Sequence, residues 1–477
     1  MKNTFALVKK IPPEILSLIP NYWEGDHNDE TMVKLTHVCR GWRDIFVSRS
    51  SLWTNLDCTN VDKTRVYIER SKSSPLQIRL GQSYHAEAFL LAVPHTPLLK
   101  TLVVSGNPTE ILPALAEHFS CPVPLLEQLR IIFVRNVPSR LYETLFNGNL
   151  PSLRKLSLSG VNTSLPWRGL SNLPTFSLCY VTGDNILLTQ LLDFFESALC
   201  LRHIYIRDSI PNSSDAPIER IVLLRHLEDL YITAQPAHPI LLDHLFIRDG
   251  VSLRLEFTFS GKDFPIQSYL PKLPEALDNL SHITAANFCF GPERRSVRLH
   301  GPSGELSILG NWIQGREPSH TGTIRLIQTL DQFDISRIQS LVITLSSCRP
   351  RNPMSRRGKF TGPFAAWMTL LTLMLTQCKN LPFIDVLNPD KNPSKIVLCP
   401  KLEEITLYIN HPDEFHIDEL LKMAEGRALR GAKLSTITIV STDALAPTRK
   451  VFLLRKHVDD VEYKFDDELP EWDTIPS

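Results

Sequence analysis

One pattern constrains this chain of 477 residues more than any other: Leu or Ile, two residues, Leu or Ile, one residue, then an aliphatic. It begins at Leu99 (LKTLVV), Leu126 (LEQLRI), Leu153 (LRKLSL), Leu173 (LPTFSL, with Phe176), Leu201 (LRHIYI), Leu227 (LEDLYI), Ile338 (IQSLVI), Leu402 (LEEITL) and Leu434 (LSTITI). Degenerate copies begin at Ser252 (SLRLEF) and Ser281 (SHITAANF), and the first intervals are 27, 27, 20, 28 and 26 residues. Within each copy the apolar residues alternate, which is the period of a half-buried strand. Between copies lie segments with helical spacing: EILPALAEHF, ILLTQLLDFFESAL, HPILLDHLF and DELLKMAEG. One strand and one helix cannot bury their apolar faces alone, so the units must stack into a solenoid.

The motif and its period resemble those of leucine-rich repeats. The resemblance implies an α/β fold of irregular repeats, strand plus helix in each, over 75–445. The asparagine usual at the turn of such a repeat is mostly missing. A doubly wound α/β domain also alternates strand and helix, but no strand here runs into a Gly-x-Gly-x-x-Gly turn. Two Gly/Pro/Arg-rich stretches, near 291–304 and 346–363, read as loop insertions. The second holds Arg349, Arg351, Arg356, Arg357 and Lys359. It fits a cationic contact for an acidic or phosphorylated substrate, or a solvated loop. The acidic tail, 446–477, alternates Val461, Tyr463 and Phe465, as a capping strand on the last repeat would. Pairing with the basic loop and occlusion of the concave face are the alternatives.

The first fifty-six residues follow a different rule. Ile11-Pro12-Pro13 precedes a short apolar run, with proline tolerated at a first helical position and Glu14 in the first turn, where the dipole favours an acid. Met32, Leu35, Val38, Cys39, Trp42, Ile45 and Phe46 recur at steps of three and four, the helical period. Gly41 is expected to bend this stretch into two short helices. Leu52 and Trp53 follow in a Ser-rich turn. So small a three-helix unit has more large apolar residues than its interior needs, leaving some for a partner.

The ordered submotifs IPPEIL, LTHVCRGWRDIF and SSLW, over about residues 10 to 56, resemble an F-box, most closely those of mushroom-type fungi. The resemblance implies an F-box at 8–56, ahead of a linker helix at 57–74. It also implies docking on a Skp-type adaptor that leads to a cullin–RING ubiquitin ligase. By position, the adaptor-binding set is Ile11, Pro12, Ile15, Leu16, Leu35, Val38, Cys39, Trp42 and Trp53. Cys39 lies on the apolar stripe and is expected to be buried as a small hydrophobe. Trp42 fits a core position or an adaptor-facing one. The expected function is that of a substrate receptor, with the repeats binding a target protein. The alternative is an interaction scaffold carrying an F-box outside any ligase.

Composition closes other routes. Lys+Arg and Asp+Glu are 51 each, which gives no reason to expect a nucleic-acid partner. Nine scattered cysteines show no zinc-knuckle spacing, and their odd number in a long chain points to reduced, mostly buried thiols inside the cell, cytoplasmic or nuclear. The opening residues lack a signal-peptide core. The most apolar run, PFAAWMTLLTLMLTQ, is too short to span a bilayer and reads as a buried helix. No Gly-x-Ser-x-Gly elbow or Walker loop is present, so no catalytic residue, metal site or cofactor is expected. His411 and His416 flank Pro412 and read as surface histidines.

Overall fold

A computed structural model describes residues 12–16, 33–133, 140–141, 146, 150–163, 170–181, 187–209, 220–234, 240–259, 277–290, 294–312, 337–345, 370–376, 382–391, 396–409, 414–441 and 449–465. It is mixed α/β, built on large parallel sheets, and divides into two compact units, Met1–Leu201 and Arg202–Ser477.

In the first unit, helix α1 (Pro13–Leu16), a helical turn over 33–36, α2 (Arg40–Ser48) and a 3-10 turn (Ser50–Trp53) precede β1 (Asn55–Leu56) and α3 (Val61–Ser71). The bend expected at Gly41 falls at residues 37–39 instead, and Gly41 lies within α2. Helix α3 connects two strands, β1 and Leu76–Leu80, that pair in parallel. The Asn60 side chain caps it by accepting from the Lys63 N–H at 2.9 Å. Next come β2 (Leu76–Leu80), α4 (Ala86–Ala92), β3 (Leu99–Ser105), α5 (Pro108–His118), β4 (Gln128–Ile132), β5 (Lys155–Ser159), β6 (Thr175–Cys179) and α6 (Leu188–Ser197).

Strands β1 to β6 pair in chain order, all parallel. The motif positions fall in register: Leu102 opposes Leu129, Leu129 opposes Leu156, and Leu156 opposes Phe176. All are fully buried, as is the next row of Val104, Ile131, Leu158 and Leu178. Each such side chain stabilises the fold by about 2 kcal/mol, so the rows fix the register. Behind them, Phe89 meets Phe119 and Phe119 meets Phe146, each at 5.5 Å between ring centroids. This aromatic stack, rather than an asparagine ladder, fills the turns there.

The second unit comprises β7 (His203–Arg207), β8 (Asp229–Ala234), β9 (Val251–Phe259), β10 (Ala285–Phe290), β11 (Arg294–Gly301), β12 (Gly304–Trp312), β13 (Ser340–Leu345), β14 (Thr372–Thr376), α7 (Pro382–Leu387), β15 (Glu404–Ile409), α8 (Glu414–Ala428), β16 (Leu434–Ser441), α9 (Arg449–Leu454) and β17 (Val458–Phe465). Its sheet runs β7-β8-β9-β12-β11-β10-β13-β14-β15-β16-β17, parallel throughout except that β11 is antiparallel to both neighbours.

Three expectations change here. Of the stretch near 291–304 read as a loop, the described residues 294–304 form β11 and the tight turn into β12. Val297 and Leu299 are buried on either side of half-buried Arg298, and that period outweighs the flanking Gly and Pro. Within the apolar run read as a helix, residues 372–376 form β14, because Leu370, Leu373 and Leu375 are another copy of the repeat motif. The segment HPILLDHLF gives a 3-10 turn, Ile240–His244, rather than an α-helix. Part of the tail joins the sheet, with β17 parallel to β16.

Candidate functional site

The segment THVCRGWRDIF is built as a bent helix pair. The Thr36 hydroxyl donates to the Val33 carbonyl at 2.7 Å, and the Arg43 Nε–H reaches back to the Thr36 carbonyl at 3.0 Å, spanning the break. Leu35 and Phe46 form the core beneath, with Trp42 and Leu52 packed against it. The Trp42 and Phe46 rings meet edge-on at 5.7 Å. Trp53 anchors the segment to α3: its ring lies edge-on to Tyr67 at 5.0 Å and carries the Arg70 guanidinium over it at 4.3 Å.

The positions singled out by the F-box resemblance separate into two groups. Leu16, Leu35 and Trp53 are buried, Trp53 at 1% exposure, so they support the segment from within. Ile15 (53%) and Val38 (45%) are exposed large apolar residues, and Trp42 is half-buried. Pro12 is exposed; Ile11 lies outside the described residues. Cys39 is exposed, not buried as expected. It is the N-cap of α2, with an extended backbone (φ −160°, ψ 169°) that carries its thiol off the helical stripe. Cys121 and Cys200 are exposed as well, whereas burial pushes the Cys58 and Cys399 thiols up to about 12. Val33, also exposed, lies between the matched Leu16 and Leu35 and was missed. Arg349, Arg351, Arg356, Arg357, Lys359 and His411 lie outside the described residues.

The outward sheet faces differ between the units. In the second unit charged and polar side chains pair across strands. Arg202 pairs with Glu228 at 2.9 Å, His203 with Asp229 at 2.7 Å, and Arg298 with Glu305 at 3.3 Å. The Tyr231 hydroxyl donates to Glu256, and burial together with that carboxylate pushes the phenol pKa up. In the first unit, Lys100 meets Glu127 at 3.4 Å. Beside that pair, Arg130, Arg154 and Lys155 are exposed cations with no ion pair among the described residues.

No protein-family model and no curated protein matches the chain. Its reading therefore rests on its own residues. Among the described residues no helix is long and apolar enough to cross a membrane. The arrangement offers two kinds of contact: apolar anchors on the N-terminal helices and a cationic strand face in the first unit. Lys155, the strongest addition to the sequence-derived set, was legible only once strand register placed it beside Arg130.

Proposed function

We propose that the chain is the substrate-receptor subunit of a Skp–cullin–F-box ubiquitin ligase. In this reading residues 8–56 act as an F-box, and the parallel sheets are irregular leucine-rich-repeat arrays that bind a target protein. The reading assigns no bond-making step to the chain; it acts by holding a target near a loaded conjugating enzyme, where proximity supplies much of the rate.

The observation that carries this reading is that Ile15 and Val38 are exposed, whereas Leu35 and Phe46 already fill the core of the segment that holds Val38. Exposed apolar anchors on short helices are what a helix-in-groove contact uses. The test is co-purification with a Skp-type adaptor and a cullin. Wild type is expected to form the complex, and an Ile15→Asp/Val38→Asp variant, changed only at exposed positions, to lose it while keeping its melting behaviour. A folded wild type that binds neither protein sinks the receptor reading. Binding to the adaptor without cullin recruitment would favour a scaffold outside the ligase.

A further inference from the structure

We propose that the outward face of the first unit's sheet is a docking surface for an acidic polypeptide segment. The proposal deepens the receptor reading by naming the class of target, and rests on it for the partner being a protein. Along the sequence, the strand charges Lys100, Arg130, Arg154, Arg202 and Glu228 look mixed and point to no ligand. Strand register sorts them. Arg202 and Glu228 neutralise one another in the second unit, whereas Arg130, Arg154 and Lys155 gather on adjacent strands of the first.

The geometry follows from the pairing. Arg130 stands opposite Ser157 and Gln128 opposite Lys155, so Arg130 and Lys155 are diagonal neighbours on one face. Strand spacing and rise put their Cα atoms about 8 Å apart. Arg154 flanks Lys155 at the strand entrance, where its backbone N–H donates to the Glu127 carbonyl at 2.8 Å. The neighbours on the face are neutral: Thr101, Gln128, Ser157, Thr175 and Ser177. Glu127, a carboxylate just before β4, is engaged by Lys100. The chain as a whole carries formal net charge +0, so this excess is local.

Charge complementarity selects the occupant. An extended chain with carboxylates at every second residue presents them about 7 Å apart, close to the spacing of these cations. Serine and glutamine between them supply neutral hydrogen-bonding groups for its backbone. Arginine recognises carboxylates through a planar fork.

The test is a fluorescence anisotropy titration of the full chain, without adaptor, using a labelled peptide of about twelve residues alternating Asp and Ser. Wild type is expected to bind with strong salt dependence. An Arg130→Glu/Arg154→Glu/Lys155→Glu variant is expected to bind at least about tenfold more weakly. A Lys401→Glu/Lys456→Glu variant, with reversals far from this face in sequence, is expected to bind as wild type does. The milder Arg130→Gln/Lys155→Gln pair keeps the question answerable if the triple variant unfolds; it too must weaken binding. Absence of peptide binding by wild type, equal binding by the folded triple and milder variants, or tighter binding of a single-stranded oligonucleotide of equal charge would each overturn the proposal. Because no adaptor is present, these outcomes are independent of whether the N-terminal segment recruits one.

Discussion

The indole N–H of Trp53 donates to the backbone carbonyl of Phe46 at 2.9 Å, tying the 3-10 turn that leads into β1 to helix α2. Both side chains are enclosed. Trp53→Phe keeps most of the ring and removes the donor, leaving a buried carbonyl short of a partner; the expected cost is about 1 kcal/mol. Trp53→Ala also empties the site and is expected to cost about 3–5 kcal/mol. Urea unfolding of the two variants checks the order. Equal losses would mean that the hydrogen bond contributes nothing separable.

The antiparallel strand β11 depends on one close approach. A Cβ at Gly301 would lie 1.9 Å from the His282 carbonyl oxygen and 2.9 Å from its carbon, both backbone atoms that cannot swing aside. Gly301→Ala is therefore expected to destabilise the second unit by at least about 1–3 kcal/mol. Gly41 has nothing within 4 Å of its added Cβ and lies inside α2. Gly41→Ala is expected to stabilise by about 0.5–1 kcal/mol. Thermal melts of the pair should move in opposite directions; a neutral Gly301→Ala contradicts the turn geometry.

Arg427 is fully buried, with no carboxylate paired to it among the described residues. Its guanidinium donates to the carbonyls of Leu398 and Cys399 at 2.7 and 2.9 Å, stitching α8 to the turn before β15, and burial pulls its pKa down to about 10. Arg427→Met retains volume but strands both acceptors, with an expected loss of about 3 kcal/mol or more. Arg427→Lys lacks the planar fork and is expected to fall between Met and wild type. Denaturant midpoints decide; a Met variant as stable as wild type would assign the arginine to packing alone.

Acid sensitivity should centre on Glu419. Burial raises its pKa, but hydrogen bonds from Lys391 and from Lys422 (3.1 Å) outweigh that and bring it down to about 2. Its reference value is 4.5. A carboxylate depressed on folding contributes stability above the unfolded value and loses it as pH falls through the folded one. Glu419→Gln is thus expected to be less stable near neutral pH and to flatten the stability profile between about 4.5 and 2. Stability measured across that window tests the sign. A Gln variant that keeps the full slope places the acid response elsewhere.

The repeat was legible because its signal is redundant: residues such as Leu102, Leu129 and Leu156 each mark a strand alone and confirm one another by spacing. Strand β14 was misread because its motif, Leu370, Leu373 and Leu375, sits inside a longer apolar run whose period is blurred. Strand β11 was hidden by arginine, glycine and proline, residue types that signal loops unless a neighbouring strand supplies the pairing. The departure of Cys39 from the helical stripe depended on where one turn broke, a detail that periodicity does not carry. The cationic face required register, since Arg130 and Lys155 are far apart along the chain and become neighbours only across strands.

The receptor account is tested most directly by hydrogen exchange of the full chain with and without a Skp-type adaptor. It predicts added protection concentrated at residues 12–16 and 33–48, with the strands of both units unchanged. Protection absent there, or falling on the sheet faces instead, would contradict it.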